Sequence, residues 1–535
     1  MLTPPSPLLT RRADLMARLE AGAEYDLVVV GGGATGLGVA LDAAARGFKV
    51  VLLESHDFAK GTSSRATKLV HGGVRYLAQG NISLVREALH ERTTLLHNAP
   101  HLAQPLAFVV PAYHWWEAPF YGTGLTMYDV LAGKAGLGKT RFLGARATAQ
   151  TLPTVRTEGL KGGVLYWDGQ FNDARLALAL ARTAAAKGAL LVNYCGVQEL
   201  LYTEGRISGV IAQDSLTGKS YPVRAKCVVN ATGVWVDALR EMDGAAHSAG
   251  GGRAVKPMVA PSQGVHLVVD REFLASDSAL MVPKTSDGRV LFAVPWLGKV
   301  ILGTTDTPRH DLAREPQAFS DEVDFILRES ARYLRRAPTR QDVKSIWVGL
   351  RPLVKPQDED GESTKGISRE HTVIVSRSGL VTVTGGKWTT YRAMAEDVLR
   401  KCAEKSLLPA RPDGQTVDLR LVGAQFGAEF VPVSVSKAEG VHSYGSEKAA
   451  LQSLPGAEVT LSDGLTEAMV RFAARHEYAV TVEDMLARRC RMLFLDARKA
   501  LELAPRVAQI LSEETGLDAK PDDFCQLAHQ YLQIP

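Results

Sequence analysis

The sequence predicts an α/β protein with three parts: a Rossmann-like nucleotide-binding domain, a second domain on a mainly antiparallel sheet, and a C-terminal helical domain. Three observations support this prediction. An apolar strand pattern at Leu27–Val30 runs directly into the glycine-rich turn GGGATG (31–36) and an alanine-rich helix. Alternating strand patterns separated by a tight turn recur between residues 264 and 303. After PARPDG (409–414) the pattern changes to helices.

The size of the chain agrees with several domains. It has 535 residues, 46% of them apolar and 22% charged, whereas single cores stop growing near ~250–300 residues. The formal charge of +4 is small for this length, so net charge does not indicate a nucleic-acid partner, and none is expected. The five cysteines are odd in number and form no C-x-x-C pair, which argues against a disulfide framework and against a metal site. A reducing, cytoplasmic setting is therefore expected.

The N-terminal residues contain neither a transmembrane nor a signal pattern. No apolar run reaches the ~18 residues that a spanning helix needs, and residues 1–22 lack the charged-then-apolar order of a signal peptide. Thr10 is expected to cap a short helix that carries Leu15, Met16 and Leu19 on one side. That helix is expected to pack on the protein body, which leaves peripheral membrane contact open.

The GGGATG turn has the spacing of a dinucleotide-binding loop. Gly31 makes the tight turn, Gly33 lets the backbone approach a pyrophosphate, and Gly36 lets the helix pack closely on the strand. A second apolar strand, Val50–Leu53, ends in Glu54 about twenty residues later, where a carboxylate can hydrogen-bond ribose hydroxyls. A plain glycine turn is the alternative, but the complete unit disfavours it. Glu54 argues against a 2′-phosphate and leaves NAD or FAD.

The residues after Glu54 favour FAD. A nicotinamide dehydrogenase normally continues into another helix and strand, whereas this chain continues ESHDFAKGTSSRATKLVHGGVRYL (54–77), which is rich in hydroxyls, glycines and cations. Such a segment is suited to extend along a long cofactor, with amides and hydroxyls near its phosphates and ring edge. The predicted cofactor contacts in this segment are Thr62, Ser63, Ser64, Lys68, His71, Gly72 and Gly73.

Two later strand-to-helix turns support the same interpretation. The strand pattern at 228–231 ends in Thr232 and Gly233, and the strand at 380–384 ends in Gly385, Gly386 and Lys387 before a helix. A helix N-terminus aimed at the pyrimidine edge of a flavin stabilises the negative charge that accumulates there on reduction. Each turn by itself is also consistent with an ordinary strand-to-helix connection.

Six segments together carry a family resemblance: KLVHGGVRYL (68–77), NATGVWVD (230–237), QGVHLVV (263–269), ILGTTDT (301–307), VGLRPL (348–353) and GGKWTTYR (385–392). Over most of the chain, from about Tyr25, the sequence resembles the FAD-dependent, aerobic-type glycerol-3-phosphate dehydrogenases. The resemblance implies a glutathione-reductase/amino-acid-oxidase-like FAD domain. It also implies oxidation of sn-glycerol 3-phosphate to dihydroxyacetone phosphate by hydride transfer to FAD, and electron transfer to membrane quinone.

The chain departs from the family pattern in two places. The Trp388 form of the last motif is similar to the mitochondrial members, but the D-x-[DN]-x-[DN]-G loop of their calcium-binding EF-hands is absent from the sequence. Ala66 stands where many members have a serine, so one hydroxyl contact to the cofactor is expected to be missing. Ser63, Ser64 and Thr67 are the neighbouring hydroxyls that can compensate.

A substrate with a phosphate dianion and a secondary alcohol needs cations at one end and a proton acceptor at the other. The predicted substrate-binding residues are Arg75, Tyr76, His266, Arg351, Arg369 and Lys387, and the predicted catalytic residues are His266, Arg351, Lys387 and Arg75. His266 is the candidate base, with Lys387 as its rival. Arginine is a poor base, so Arg351 is expected to stabilise the developing alkoxide. The alternatives are a sheet histidine and arginines that pair locally with carboxylates.

The expected domains are an N-terminal arm (1–24), a discontinuous FAD-binding domain (25–110, 151–255 and 345–408), a substrate-binding domain (111–150 and 256–344) and a helical domain (409–535). The substrate sheet is predicted from strands at 264–270, 289–296 and 299–303. Two helix limits are predicted in the last domain, a capping-box start at Thr481 and a C-cap at Gly516. A homodimer is expected, with contact at the inner face of the cytoplasmic membrane. Rival functions are an oxygen-using glycerol-3-phosphate oxidase, an amine or amino-acid oxidase, and a flavin-binding protein without turnover.

Overall fold

The computed structural model describes residues 9–77, 81–247, 255–355, 371–425 and 431–535, with Arg75 and Tyr76 as backbone alone. Its α-helices are α1 (Arg12–Glu20), α2 (Ala34–Ala45), α3 (Val74–Leu77), α4 (Ile82–Asn98), α5 (Glu117–Ala132), α6 (Ala145–Thr151), α7 (Asp173–Ala186), α8 (Val236–His247), α9 (Ser320–Tyr333), α10 (Tyr391–Glu404), α11 (Lys448–Gln452), α12 (Glu467–His476), α13 (Met492–Leu495), α14 (Ala497–Thr515) and α15 (Pro521–Leu532).

Its strands are β1 (Tyr25–Val30), β2 (Val50–Leu53), β3 (Leu69–Val70), β4 (Ala103–Ala112), β5 (Arg141–Gly144), β6 (Gly162–Phe171), β7 (Leu190–Val192), β8 (Cys195–Thr203), β9 (Arg206–Asp214), β10 (Ser220–Asn230), β11 (Val259–Asp270), β12 (Ala279–Val282), β13 (Leu291–Trp296), β14 (Lys299–Gly303), β15 (Thr307–Pro308), β16 (Ser345–Val354), β17 (His371–Val375), β18 (Val381–Gly385), β19 (Thr460–Ser462) and β20 (Leu465–Thr466).

The first sheet is the predicted nucleotide-binding sheet. Among the described residues it has eight strands. Six of them follow the order β17-β18-β10-β1-β2-β7 and pair in parallel, except that β17 runs antiparallel to β18. The other two, β8 and β9, join it through antiparallel pairing of β9 with β10 and with β8. The central strand β1 is buried because it has a neighbour on each side and helices above it, which explains its continuous apolar run. Helix α2 packs against α7 and α10. The predicted strand-turn-helix-strand unit is therefore confirmed.

The second sheet has ten strands in the order β15-β11-β14-β13-β12-β4-β6-β3, with β16 paired to β11 and β5 to β6. All of these pairs are antiparallel except β12 with β4. The predicted turn between β13 and β14 has left-handed backbone at Leu297 (φ 46°) and Gly298 (φ 82°), as a two-residue hairpin requires. The mainly antiparallel second domain is confirmed.

The structure assigns four strands differently from the predicted domain limits. β3, β6, β16 and most of β4 fall within the ranges 25–110, 151–255 and 345–408 that were assigned to the FAD-binding domain, but all four pair in the second sheet. Strand pairing joins residues far apart in sequence, so a local pattern identifies a strand without identifying its neighbour. The consequence for the site is direct, because β16 brings Arg351 beside Ser262 of β11.

The C-terminal helices share one apolar core with the second sheet, and this core contains Trp296, Trp347, Phe472 and Phe494. The predicted C-cap is confirmed, since Gly516 has φ 71° and its N–H donates to Ser512 O. At the predicted helix start, Asp484 accepts hydrogen bonds from the backbone N–H of Val480 and Thr481. The turn that follows, Asp484–Arg489, is a π-helix rather than an α-helix.

The N-terminal helix lies on the protein body as predicted, with Leu15 and Leu19 buried. Its predicted cap is wrong: α1 begins at Arg12, and the Thr10 hydroxyl donates to Arg475 O at 2.6 Å. Thr10 thus connects the N-terminal segment to α12, a contact between distant residues that no local pattern shows. No helix in the described part of the chain has both the length and the apolar character required to cross a bilayer.

Candidate active site

Two adjoining cavities form one continuous site between the sheets. The first, about 400 Å³, lies at the carboxyl ends of β1, β2, β10 and β18, where open α/β sheets bind their ligands. The second, about 320 Å³, is bounded by β11 and β16 of the second sheet. The residues that line both cavities are Thr62, Pro352, Gly386, Lys387 and Trp388. We name the first the cofactor cavity and the second the substrate cavity.

The cofactor cavity is lined by glycines whose backbone approaches the cavity closely, as a dinucleotide site needs. At one end, Gly31 has φ 107°, and a Cβ there would lie 2.6 Å from Ala231 O, so only glycine lets the turn approach this closely. At the other end, Gly385 (φ 83°) and Gly386 (φ 73°) occupy left-handed backbone. Between these ends the backbone N–H of Ala34, at the start of α2, donates to Ser63 Oγ at 2.8 Å.

Most of the predicted cofactor residues meet at these cavities. Glu54 lines the cofactor cavity, and its carboxylate accepts from the backbone N–H of Gly32 at 2.6 Å and of His56 at 2.8 Å. These bonds hold the carboxylate at the predicted ribose position. The other predicted residues that line one or both cavities are Gly31, Gly33, Thr62, Ser63, His71, Gly73, Thr232, Gly233, Gly385, Gly386 and Lys387.

Four predicted cofactor residues do not line either cavity. Gly36 has the packing role expected of it, since a Cβ there would lie 1.9 Å from Gly31 O. A Cβ at Gly72 would lie 2.3 Å from the Tyr128 hydroxyl, so this glycine allows close packing against Tyr128, and its contact with the cofactor stays a prediction. Ser64 is buried and its carbonyl accepts from Lys68 Nζ.

Lys68 is the clearest correction. Its Nζ is fully buried, donates to Ser64 O and Asp173 Oδ2 at 2.7 Å each, and lies 4.3 Å from the centre of the Trp347 ring. Burial holds the pKa of Lys68 well below its ordinary range, and Asp173 opposes that shift. The local sequence predicted a cation near the cofactor, but Lys68 has a left-handed backbone (φ 65°) and a side chain directed into the core.

His266 lies on β11 and lines the substrate cavity. Its Nε2 is 3.0 Å from Thr67 Oγ1, and its ring stacks on Trp347. The side chain is buried, and this burial, together with the charges of Lys68 and Arg351, holds the imidazole pKa well below its ordinary 6.5. The ring is therefore neutral at pH 7 and is able to accept a proton.

Arg351 lies on β16 and lines the same cavity. Its guanidinium donates to Gln263 O at 3.2 Å, to Thr305 O at 2.9 Å and to Thr304 Oγ1 at 3.2 Å, and it pairs with Asp306 at 3.3 Å. The carboxylate-pairing alternative is thus partly correct. The contacts fix the orientation of the guanidinium, which suits it to stabilise an anion in one position.

Lys387 joins the two cavities. It follows the left-handed pair Gly385 and Gly386 and precedes the short 3-10 turn Trp388–Thr390, which leads into α10. Its Nζ is shielded from solvent. Trp388 donates its indole N–H to Ser63 O at 2.8 Å and thereby fixes this turn against the loop after β2. Lys387 is therefore a predicted cation that lines both cavities.

The remaining predicted residues stay predictions. Gly73 and Val74, at the start of α3, line the substrate cavity, but the side chains of Arg75 and Tyr76 lie outside the described residues. Arg369 also falls in an undescribed segment. Within the described ranges, no three His, Cys, Asp or Glu side chains are arranged to hold a metal ion.

The sequence analysis did not identify three cations at the site. Arg289 and Arg65 line the substrate cavity, where Arg289 lies over the Phe325 ring at 4.2 Å and Arg65 pairs with Glu315 at 2.7 Å. Arg314 lines the cofactor cavity. Arg289 comes just before an alternating strand pattern, and this pattern could have identified it. Arg314 lies in an irregular segment that has no local pattern to identify it. The apolar wall opposite is formed by Phe108, Tyr166, Met281 and Phe292.

Comparison with known proteins places the chain in a family. Residues 26–392 match the family model for FAD dependent oxidoreductases, and residues 414–521 match that for the C-terminal domain of alpha-glycerophosphate oxidase. The mitochondrial glycerol-3-phosphate dehydrogenase of Rattus norvegicus is 41% identical over 96% of this chain and 72% of its own length. The mitochondrial enzyme of Arabidopsis thaliana is 39% identical, over 99% and 90%.

A solved structure agrees with these relatives. The glycerol-3-phosphate dehydrogenase of Bacillus halodurans, determined in complex with FAD, superposes with a TM-score of 0.76 at 29% identity and covers 98% of both chains. The cofactor cavity therefore has the shape, the glycines and the acidic residue of an FAD site, and FAD is the cofactor of this protein. The chain belongs to the family of FAD-dependent glycerol-3-phosphate dehydrogenases.

Proposed function

We propose that this protein oxidises the C2 alcohol of sn-glycerol 3-phosphate to dihydroxyacetone phosphate. One observation carries the proposal: His266, Arg351 and Lys387 line a single cavity that opens onto the cofactor cavity at Gly386. A phosphate dianion needs cations, and an alcohol that is to be oxidised needs a proton acceptor. The substrate cavity provides both within reach of the flavin end of the cofactor cavity.

The cations divide into two roles. Lys387 and Arg289 are suited to hold the phosphate, together with Arg75, whose place in the sequence puts it directly after the cavity-lining Gly73 and Val74. Arg351 is already fixed by backbone carbonyls and Asp306, so it is suited to stabilise the charge that develops on the C2 oxygen. A substrate without the phosphate loses the first set of contacts and is expected to bind weakly.

His266 takes the proton of the C2 hydroxyl. Its lowered pKa makes it a weak base in the free enzyme, and a dianionic substrate raises that pKa because it offsets the neighbouring positive charges. Lys387 remains the rival base. FAD, when bound, supplies the acceptor for the two electrons released by the C2 carbon. The apolar wall of Phe108, Tyr166 and Phe292 keeps water from the reacting carbon.

The test is anaerobic reduction of the holoprotein by substrate. Addition of sn-glycerol 3-phosphate is expected to bleach the flavin absorbance, whereas glycerol, which lacks the phosphate, and glycine, an amine substrate, are expected to leave it unchanged. Bleaching by glycine instead would support an amine or amino-acid oxidase. An unchanged spectrum with every substrate would leave a flavin-binding protein without turnover and would refute the proposal.

We propose a membrane quinone as the electron acceptor, with oxygen as the alternative. Residues 414–521 match the C-terminal domain of alpha-glycerophosphate oxidase, so oxygen is an alternative acceptor that needs a direct test. The substrate-reduced protein is mixed with a soluble quinone or with oxygen, and the return of flavin absorbance is followed together with hydrogen peroxide. Fast reoxidation by quinone with little peroxide supports a dehydrogenase, whereas stoichiometric peroxide supports an oxidase.

An exposed apolar face supports contact with a membrane. It consists of Trp115, Trp116, Phe120, Met127, Val130 and Phe142, and we name it the α5 face. Trp115 is 82% exposed, Val130 75% and Phe120 68%. Positions 116, 120, 127 and 130 recur at helical spacing, and Phe142 lies against Gly122 of the same helix. A monomer rarely exposes so many large apolar side chains together without a partner surface.

The charges around the α5 face favour an anionic phospholipid bilayer as its occupant. Lys134, Lys139, Arg141 and Arg146 are all exposed in the segment that follows the helix. Residues 115–146 contain two acidic side chains, Glu117 and Asp129, against these four cations, so the local charge is positive. Aromatic and basic residues side by side are typical of the interfacial layer of a membrane.

Vesicle sedimentation tests this surface. The double variant Trp115→Ser/Phe120→Ser is expected to lose binding to vesicles of anionic phosphatidylglycerol, and Val431→Ser, an exposed apolar residue outside the face, serves as the matched control. Equal binding by all three proteins would refute the membrane role. If the double variant instead changes the mass in analytical ultracentrifugation, the face is the contact of the expected homodimer.

We further propose a cytoplasmic location at the inner face of the cytoplasmic membrane. All five cysteines carry free thiols, and four of them are buried, an arrangement that a reducing compartment preserves. Fractionation of cells, with the protein detected in the membrane fraction and released by high salt, tests this location. Accessibility to protease from the outer side of intact spheroplasts would contradict it.

A further inference from the structure

An irregular segment, residues 309–319 between β15 and α9, crosses the edge of the site, and we name it the strap. Arg314 of the strap lines the cofactor cavity and lies over the indole of Trp235 at 4.1 Å, and Trp235 lines the same cavity. The Trp235 indole N–H donates to Leu312 O of the strap at 3.1 Å. The strap is thus attached on its cavity side by two contacts to one tryptophan.

Arg314 faces the nucleotide end of the cavity. Its charge interacts with Glu54, the carboxylate placed to bind ribose. The same cavity contains Gly31 and Gly33 of the turn that receives a pyrophosphate. A guanidinium held flat on an indole is oriented before the ligand arrives, and its planar fork suits phosphate oxygens. The position of Arg314 therefore fits the anionic, adenosine-bearing half of FAD.

On the opposite side, Glu315 attaches the strap to the body of the protein. Both of its carboxylate oxygens accept from Arg65 Nη2 at 2.7 Å, and its Oε2 accepts from the Tyr531 hydroxyl at 3.3 Å. Lys60 Nζ adds an ion pair at 3.6 Å. Arg65 also donates to Arg314 O at 3.1 Å, so the same guanidinium holds two consecutive strap residues.

The C-terminal helical domain takes part in this attachment. Tyr531 belongs to α15, and its neighbour Gln530 accepts from Gln317 Nε2 of the strap at 2.9 Å. Tyr531 is buried, with its ring against Phe494. Helix α15 therefore reaches the strap by two hydrogen bonds from consecutive residues, although it lies more than 200 positions later in the chain.

We propose that Arg314 binds the adenosine diphosphate half of FAD and that Glu315, held by Arg65 and by Tyr531 of α15, is the positioning residue that keeps Arg314 over the cofactor. The helical C-terminal domain thereby contributes to cofactor retention. This role is separate from the substrate chemistry, so it stands or falls independently of the proposed oxidation of glycerol 3-phosphate.

FAD affinity of the reconstituted protein tests the proposal, measured by the change in flavin fluorescence on binding. Arg314→Gln is expected to raise the dissociation constant about ten- to a hundredfold, the loss expected for one charge-assisted contact to phosphate. Glu315→Gln and Tyr531→Phe are expected to raise it about three- to tenfold, because they loosen the strap without removing the cation. Arg328→Gln, an exposed arginine on α9, is the matched control and is expected to change nothing.

Two further measurements separate binding from folding. The thermal midpoint of the flavin-free Arg314→Gln protein is expected to equal that of the unmodified apoprotein, whereas the rise in midpoint on adding FAD is expected to be smaller. Added salt is expected to weaken FAD binding more in the unmodified protein than in Arg314→Gln. Unchanged FAD affinity in Arg314→Gln would overturn the proposal, and unchanged affinity in both Glu315→Gln and Tyr531→Phe would overturn the part played by the C-terminal domain.

Discussion

The imidazole of His266 stacks on the indole of Trp347, with 4.0 Å between ring centres and 17° between ring planes. The two residues are direct partners in the pairing of β11 with β16. Lys68 Nζ lies 4.3 Å from the centre of the same indole, and its charge contributes to the low pKa of His266. A buried ammonium group outside the substrate cavity thus influences the charge of a group inside it.

His266→Gln is expected to slow anaerobic flavin reduction by about 10²- to 10⁴-fold, the usual contribution of a general base. The pH dependence gives the sharper result. Since the pKa of His266 is lowered in the free enzyme, its basic form is already present at pH 6.5, and the second-order rate of reduction at low substrate concentration is expected to fall only as pH drops through that lowered pKa. The variant is expected to lack this fall in stopped-flow traces. A variant that keeps both the rate and the fall would remove His266 as the base.

Gly264→Ala is expected to displace Arg351 without removing its charge. A Cβ at Gly264 would lie 2.3 Å from Arg351 Nη2, which is the mobile end of a long side chain, so the fold can accept the change by moving the guanidinium. The rate constant for flavin reduction at saturating sn-glycerol 3-phosphate, measured anaerobically by stopped flow, is expected to fall about tenfold, because Arg351 stabilises the charge that develops on the C2 oxygen. FAD content should stay the same. An unaltered rate constant would show that the orientation of Arg351 is unimportant.

Gly31→Ala is expected to yield protein with little bound flavin. Its φ of 107° disfavours any other residue, and the Cβ would also lie 2.6 Å from Ala231 O, a backbone atom that cannot move aside. Gly188→Ala is the matched control, because Gly188 has a similar φ of 100° but open space around its Cβ position. The ratio of flavin to protein absorbance after purification measures the effect. Equal flavin loss in both variants would assign the effect to backbone strain alone.

Asp173→Asn is expected to lower the free energy of unfolding by about 3–5 kcal/mol, because it breaks a fully buried ion pair with Lys68 and leaves an uncompensated ammonium group. Lys219→Met removes an exposed pair with Glu20 at 2.6 Å and is expected to change stability far less, because solvent screens an exposed pair. Thermal midpoints of the two holoproteins measure the difference. Similar midpoints would show that the buried pair of Lys68 and Asp173 contributes little to stability.

His101→Gln is expected to reduce the loss of stability in mild acid. Burial and the nearby Arg175 and Arg182 lower the pKa of His101 to about 3, whereas the unfolded chain has a pKa near ~6.5. The unfolded state therefore binds the proton first, and stability falls as pH drops below about 6.5. At pH 5 this contribution is about 2 kcal/mol. The difference in thermal midpoint between pH 7 and pH 5 should shrink in the variant, and an unchanged difference would contradict the assignment.

The sequence by itself determined the local units of the site. The strand–turn–helix at 25–45, the acidic residue Glu54, and the candidates His266, Arg351 and Lys387 were all predicted from motifs, and the structure brings them to two connected cavities. These features are readable because strand periodicity and left-handed glycines are properties of a few consecutive residues.

Tertiary structure alone decided the rest. It placed β4, β6 and β16 in the second sheet, turned Lys68 toward Asp173, and brought Arg314 to the cofactor cavity beside Trp235. Each outcome depends on contacts between residues separated by tens to hundreds of positions, and on the side of a loop from which a side chain projects. Neither the distant contacts nor the direction of a loop side chain can be seen in a local sequence pattern, because packing against distant partners determines both.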